Sequence, residues 1–484
     1  MPIKISATKS WQLIPHPKLG WMLILGLYTV VFLLLAVGWG QLVILIYPLG
    51  SLAVSIFLYR RYPILYMGFT WWMWFLVGVI RRLIDYKCGY VTPWPIDLAP
   101  LLVTSVCGFT LLRYLPITWK RDGLPFIICF VCVLYGSLVG IIQQPVIELE
   151  RELIVLMRWL NPIFVGFHLF VNWRFYPQYR HNIQRVFLWG VIIMAGYGIV
   201  QFLLAPEWDK FFLYSYRDAN GASTWMGKPE PFGIRIWSTM SNTFTFAFNL
   251  VPGLILLLIS KSKLRVPASI LGYLALLLSQ SRTGWYSWVI MMVLFIFTVK
   301  ASNQIRLLVI ILMIAAVVIP LANIEPFSEI IQSRIETFSD LESDASFNGR
   351  IAQFSQSINY ALSQFFGYGL VDAGRAPAGI FSSNDNGYLV ILVSLGWLAA
   401  IPYTGAIILL LSKLFFNPKN YSDMFAIASR IIALGSLIRM FTSNVTSGDY
   451  ALPIWAFLGM GLASYKYYLH QNTIFSASQM ISKS

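Results

Sequence analysis

The chain has 484 residues, 58% of them hydrophobic and 11% charged, with a formal net charge of +15. Its mean hydropathy of +0.69 excludes a soluble globular domain, which is about half apolar and a quarter charged. The positive charge lies in short loops beside apolar runs and not in a patch or arm, which removes nucleic acid as a partner and leaves membrane lipids.

A helix needs about 20 apolar residues to cross about 30 Å of hydrocarbon, and the runs in this chain predict about fourteen transmembrane helices. They begin near residues 21, 41, 62, 98, 124, 154, 184, 241, 264, 284, 304, 387, 423 and 450. No small-residue cleavage site follows the first run, so it reads as a retained helix and not as a signal peptide. Lys4, Lys9 and Lys18 precede it. Arg60 and Arg61, then Arg113, Lys120 and Arg121, then Arg174, Arg180 and Arg185 occupy alternate connections. Lys261, Lys263, Arg265, Lys300, Arg306, Lys413, Lys419, Lys466 and Lys483 continue the series, which the positive-inside rule places in the cytoplasm together with both termini. Of the acidic residues only Asp122 and Asp423 fall on that side. Cys88, Cys107, Cys129 and Cys132 lie mostly in apolar surroundings without the polar partners that a redox or zinc site needs, and read as packing residues.

Two long outer segments interrupt the short connections, and long loops in compact proteins are usually functional. The organisation expected is an N-terminal transmembrane bundle at 1–204, an outer loop at 205–240, further spans at 241–322, a large outer (periplasmic) loop at 323–385 and C-terminal spans at 386–484. In the second loop Ile351, Phe354, Ile358, Leu362 and Phe365 recur at helical spacing and predict an amphipathic helix ending at Gly367 and Gly369. A weaker helical pattern runs through Phe327, Ile330, Ile331, Ile335 and Phe338. The chain shows no internal repeat and no paired broken helices, which counts against the common secondary-transporter folds.

Arginine is concentrated on the outer side, where topology does not ask for it: Arg81, Arg82, Arg217, Arg235, Arg282, Arg334, Arg350, Arg375 and Arg439. Lysine is rare there. The planar fork of arginine matches phosphate or carboxylate oxygens two at a time, which lysine cannot do. Arg282, in LSQSRTGW, is pinned between two spans, either at lipid headgroups or at a bound anion. Arg350 falls in the first turn of the amphipathic helix, where the dipole disfavours a cation; an anion, or an ion pair with Asp344 or Glu342, offsets that. Arg235 stands beside Ser238, Thr239, Ser241 and Asn242, a cluster that caps the next span or binds sugar hydroxyls. Asn384, Asp385 and Asn386 begin the twelfth span with Tyr388 one turn in, and Asp385 is either a helix N-cap or a base for an acceptor hydroxyl.

Four of these segments, in order, resemble the O-antigen ligase and bacterial polysaccharide polymerase superfamily of membrane glycosyltransferases. RIWSTMSN resembles its arginine segment before a span, LSQSRTGW its serine-arginine motif, GRIAQF with GYG its outer-loop pattern, and NDNGYL its His-Asn-x-Tyr-Leu; the likeness covers about residues 235 to 400. It implies an all-α, polytopic, GT-C-like membrane protein of the bacterial cytoplasmic (inner) membrane with its active site on the outer face. It also implies transfer of a glycan from a polyprenyl-diphosphate-linked donor to an acceptor glycan or lipid, with no metal and no cofactor, and inversion at the anomeric carbon. Carried over, Arg282 and Arg350 would bind the diphosphate and Asp385 would orient or deprotonate the acceptor. Arg235, Asn242, Arg81, Arg82, Asn386 and Tyr388 would line the substrate site. Asp385 stands where the family usually has histidine, and a carboxylate is a weaker base than imidazole unless burial raises its pKa. The polymerase form is favoured over the ligase form. The rival outside enzymology is a flippase or exporter of lipid-linked oligosaccharide.

Overall fold

The computed structural model describes residues 17–90, 95–118, 122–143, 149–220, 226–325, 327–328, 331, 355, 357–371, 386–415 and 423–481. Among them the only sheet-like pairing is an isolated antiparallel bridge between Gly227 and Ile234. The helices are α1 (Lys18–Val37), α2 (Gly40–Arg61), α3 (Pro63–Cys88), α4 (Leu98–Ser105), α5 (Gly108–Thr118), α6 (Leu124–Gln143), α7 (Leu149–Val171) and α8 (Tyr176–Leu204). They continue with α9 (Glu207–Asn220), α10 (Thr243–Ile259), α11 (Arg265–Leu278), α12 (Arg282–Thr298), α13 (Ala301–Ala322), α14 (Gly387–Phe415), α15 (Met424–Ile438) and α16 (Gly448–Ile481).

Among the described residues, ten helices or near-continuous helical runs are long and apolar enough to cross a membrane. That is four fewer than the about fourteen expected from windows of about 20 residues; for three of them the physical reason is length, and the fourth, α16, has 34 residues but is diluted by polar residues such as Asp449 and Lys466. Three apolar helices fall short, α10 with 17 residues, α11 with 14 and α12 with 17. The span expected from residue 98 is delivered as α4 and α5, broken at Val106 and Cys107. Outward-facing Phe32, Phe297 and Leu312 are well exposed, as they must be where lipid is the solvent.

The core is built on close backbone contact and aromatic packing. A Cβ on Gly459 of α16 would come within 2.3 Å of the Gly166 oxygen of α7, the small-residue approach by which membrane helices gain dispersion contact. Trp71, Phe75, Phe187 and Phe457 fill the space beside it, with Trp71 and Phe187 centroids 4.8 Å apart.

The residues assigned to one side by their charge gather at one end. Asp423 caps α15 through Phe425 N–H at 2.9 Å and accepts from Tyr176, Tyr468 and Arg180 at 2.6, 2.8 and 3.1 Å. Asp122 pairs with Lys413 and Lys466, each at 3.4 Å. At the other end lie the α8–α10, α11–α12 and α15–α16 connections.

Helix α14 is broken at Gly396, which has φ 63° and ψ 175°. The break frees backbone groups at membrane depth, where each needs a partner. Residues 364–371 supply them. Tyr368 and Gly369 N–H donate to the Val393 and Ser394 carbonyls at 2.8 and 3.2 Å, and Trp397 and Leu398 N–H donate to Gln364 and Phe365 at 3.1 and 3.2 Å. Gly369 has φ +101°, and a Cβ there would sit 2.3 Å from the Gly140 Cα. The Gly-Tyr-Gly segment therefore does more than end a helix; it splices the loop into the spanning helix. Residues 357–363 are helical and are the described part of the expected amphipathic helix.

Candidate functional site

The segment 234–242 reaches α10 as irregular chain inside the protein, with Ile234, Ile236, Trp237, Ser238 and Met240 wholly buried. Gly78 of α3 permits this, because a Cβ at that position would lie 2.3 Å from the Met240 carbonyl carbon. Gln201 Oε1 accepts from Trp237 and Ser238 N–H at 3.1 and 2.8 Å, and Val79 N–H donates to the Thr239 carbonyl at 2.9 Å. Ser238 takes φ 56°, outside the usual range for its type.

Arg82 clamps the segment. Its Nη1 donates to the Met240 carbonyl at 2.7 Å and its Nη2 to the Ser238 carbonyl. Its Nε lies 2.5 Å from Asp209 Oδ1, an ion-pair contact not aligned as a hydrogen bond, and Asp209 also accepts from Tyr197 at 2.7 Å. Arg81 beside it is 3.4 Å from both Asp85 and Asp97 and lies 5.0 Å from the Phe212 ring centre. Both arginines were expected to bind substrate. In the structure the carboxylates of Asp85 and Asp97 hold Arg81, while Asp209 and two backbone carbonyls hold Arg82, which fixes the loop that carries the next arginine.

That next arginine is Arg235. Burial and then the charge of nearby Arg282 push its guanidinium pKa below the ordinary range. Arg282 is the first residue of α12, behind the Ser281 cap, whose Oγ accepts from Gly284 N–H at 3.3 Å. Arg235 thus lies within electrostatic reach of a guanidinium at a helix N-terminus, where the dipole adds positive potential. Like charges at close quarters raise one another's energy, and an anion lowers both.

Asn242 is the cap of α10, its Oδ1 accepting from Thr245 N–H at 2.8 Å, while its Nδ2 donates to the Tyr450 hydroxyl at 2.8 Å. Asn386 is the cap of α14, accepting from Tyr388 and Leu389 N–H at 3.0 and 3.1 Å and donating to the Phe441 carbonyl at 3.3 Å. The Tyr388 hydroxyl donates to the Leu437 carbonyl at 3.0 Å and its ring packs on Phe441. These three side chains therefore tie the starts of α10 and α14 to α15, to α16 and to the chain between them. Asp385 and Arg350 lie outside the described residues.

Two arginines escaped assignment to the site in the sequence. Arg439, two residues beyond Tyr388's partner Leu437, is 2% exposed with its guanidinium carbon 3.5 Å from the Phe248 ring centre. Arg158, inside α7, lies within electrostatic reach of Asp97 and Asp449. An arginine inside an apolar run is a signal of function in its own right, and MRWLNP carries it openly.

Residues 267–404 match a family model described as O-Antigen ligase. The matched stretch starts in α11, contains Arg282 and the Gly-Tyr-Gly splice, and ends in α14; Arg235 and Asn242 precede it. No curated protein matches the chain. The match supports the resemblance to the O-antigen ligase and polymerase superfamily, and with it a bacterial membrane protein of polysaccharide biosynthesis.

Proposed function

Taking a chain that carries an O-antigen ligase segment as the premise, we propose that it is a metal-independent membrane glycosyltransferase that extends a lipid-linked polysaccharide on the outer face of the bacterial cytoplasmic membrane. The donor is a glycan on polyprenyl diphosphate and the acceptor is a sugar hydroxyl of a second glycan. Both termini are cytoplasmic, and the Asp122 and Asp423 end of the bundle faces the cytoplasm.

The observation that carries this reading is that Arg235, on a segment buried in the bundle, lies within electrostatic reach of Arg282 at the N-terminus of α12. An apolar protein gathers such charge where a ligand brings the opposite sign. In the transfer step the acceptor oxygen forms a bond to the anomeric carbon from the face opposite the leaving group, and the anomeric carbon to phosphate oxygen bond breaks. The electron pair leaves with the diphosphate, and the hydroxyl proton passes to the Asp385 carboxylate. Arg282, Arg235 and Arg350 stabilise the charge that grows on the diphosphate; preorganised donors in a water-poor site act most strongly there.

The test is a glycan ladder. Purified protein in liposomes is given a polyprenyl-diphosphate oligosaccharide, and wild type is compared with Arg282→Ala and Arg350→Ala. Longer lipid-linked products from wild type, and a loss of about a hundredfold or more in folded variants, are expected. A wild-type protein that lengthens nothing, even with a lipid A core acceptor present, but moves the lipid between leaflets would replace the transferase by a transporter.

A further inference from the structure

Among the described residues, the buried Arg81 and Arg82 are met by acceptors, and Arg439 is not. Arg82, 1% exposed, faces Asp209 and two backbone carbonyls. Arg439 is 2% exposed, yet among the described residues nothing accepts a hydrogen bond from its Nε, Nη1 or Nη2 and no carboxylate pairs with it. Its one compensating contact is the face of Phe248, 3.5 Å below the guanidinium carbon. A ring face attracts a cation but leaves every N–H donor in the guanidinium plane unsatisfied. Arginine does not escape by releasing its proton, and native proteins rarely leave buried donors empty without a functional reason.

The surroundings say where the missing acceptor belongs. Phe248 packs edge-on against Tyr450 at 5.6 Å, and the Tyr450 hydroxyl accepts from Asn242, the cap of α10. The neighbouring Ala247 is the residue on which Gly284 packs, two positions beyond Arg282. Arg439 therefore lies against the same stretch of α10 as the first turn of α12, at the end of the bundle that carries Arg235.

We propose that Arg439 is a further anion-binding residue of this site, its in-plane fork taking oxygens of a diphosphate while Phe248 holds the guanidinium flat. Planar paired donors match phosphate oxygens two at a time, and a third guanidinium adds positive charge where a departing diphosphate gathers negative charge. This assignment deepens the glycosyltransferase reading and rests on it for the identity of the donor, while the anion site itself is measured without turnover.

The experiment uses full-length protein in nanodiscs, as wild type, Arg439→Met and Arg439→Lys, with thermal unfolding followed as inorganic pyrophosphate or polyprenyl diphosphate is added. Without anion, Arg439→Met is expected to melt at or above wild type, because an unsatisfied buried cation has been removed. With anion, wild type is stabilised, and the apparent affinity falls roughly tenfold or more in Arg439→Met and also in Arg439→Lys, which keeps the charge and loses the fork. If only the lipid form shows this loss, the anion is the membrane-bound one; if inorganic pyrophosphate shows it too, the headgroup alone suffices. Should Arg439→Met fail to fold, Arg439→Lys carries the binding comparison. Equal anion affinity in all three proteins, or a large drop in anion-free melting of both variants with binding intact, overturns the assignment and makes Arg439 structural. Anion binding that depends on Arg439 in a wild type with no glycan transfer would keep the anion site and remove the transferase.

Discussion

Replacing Arg82 by leucine is expected to detach residues 234–242 from α3. The change leaves Asp209, which is wholly buried, with the Tyr197 hydroxyl as a donor but without its cation, and strips the Ser238 and Met240 carbonyls of theirs. Removing one partner of a buried ion pair costs about 3–5 kcal/mol, whereas replacing both by apolar groups is often neutral. Arg82→Leu alone should therefore be strongly destabilised and Arg82→Leu/Asp209→Leu should recover most of the loss, a coupling of about 3 kcal/mol. Denaturant titration of protein in mixed micelles measures the cycle. Glycan transfer should return with stability in the double variant, because Arg82 acts by holding Arg235 in place. Recovery of stability without recovery of transfer would show that Arg82 touches substrate, and additive losses would refute the clamp.

Three further outcomes follow from the geometry. Gly369→Ala should abolish folded protein on size-exclusion chromatography, since its φ of +101° is hostile to a side chain and the new Cβ meets the Gly140 Cα at 2.3 Å; Gly140→Ala, whose Cβ would be 3.4 Å from Gly369, should survive. Asn386→Ala should lose about 1 kcal/mol in denaturant titration, the value of an N-cap, and Asn386→Asp should restore most of it. Asp122 is partly desolvated, which acts to raise its pKa, but Lys466 and then Lys413 hold the carboxyl below the ordinary 3.8. Its stabilising effect is therefore complete above that value and is lost as pH falls through the lowered one. Because Asp122 is 58% exposed, the effect should stay under about 1 kcal/mol, and Asp122→Asn should abolish the acid-dependent part in a pH series of melting curves.

Much of the frame was legible because lipid imposes one rule on every span. Expected starts near residues 124, 264, 387 and 423 fall within a residue of α6, α11, α14 and α15, where an apolar run begins beside a charge or a cap. The start near 184 lies 8 residues inside α8, because the tyrosines and arginines of its first turns read as loop by hydropathy yet pack at the end of the bundle. The site was half legible. Spacing and arginine usage picked out Arg235 and Arg282, but no local pattern reveals that Arg82 spends its donors on carbonyls 156 and 158 residues away. Nor could Gly396, in the middle of an apolar run, announce a break, since the backbone groups that close it come from residues 364–369.

The shortness of α12 also shapes the membrane around it. Its 17 residues rise about 25 Å, less than the about 30 Å of an ordinary hydrocarbon layer. A span shorter than its bilayer is accommodated by local thinning or by drawing polar flanks inward. Under the proposed function, lipid beside α12 would be drawn toward Arg282, and a prenyl-linked diphosphate would meet that arginine while its chain stays in hydrocarbon. Hydrophobic mismatch would then make the bilayer itself part of the binding site: thicker lipid mixtures should weaken capture of the proposed donor without any change in the protein.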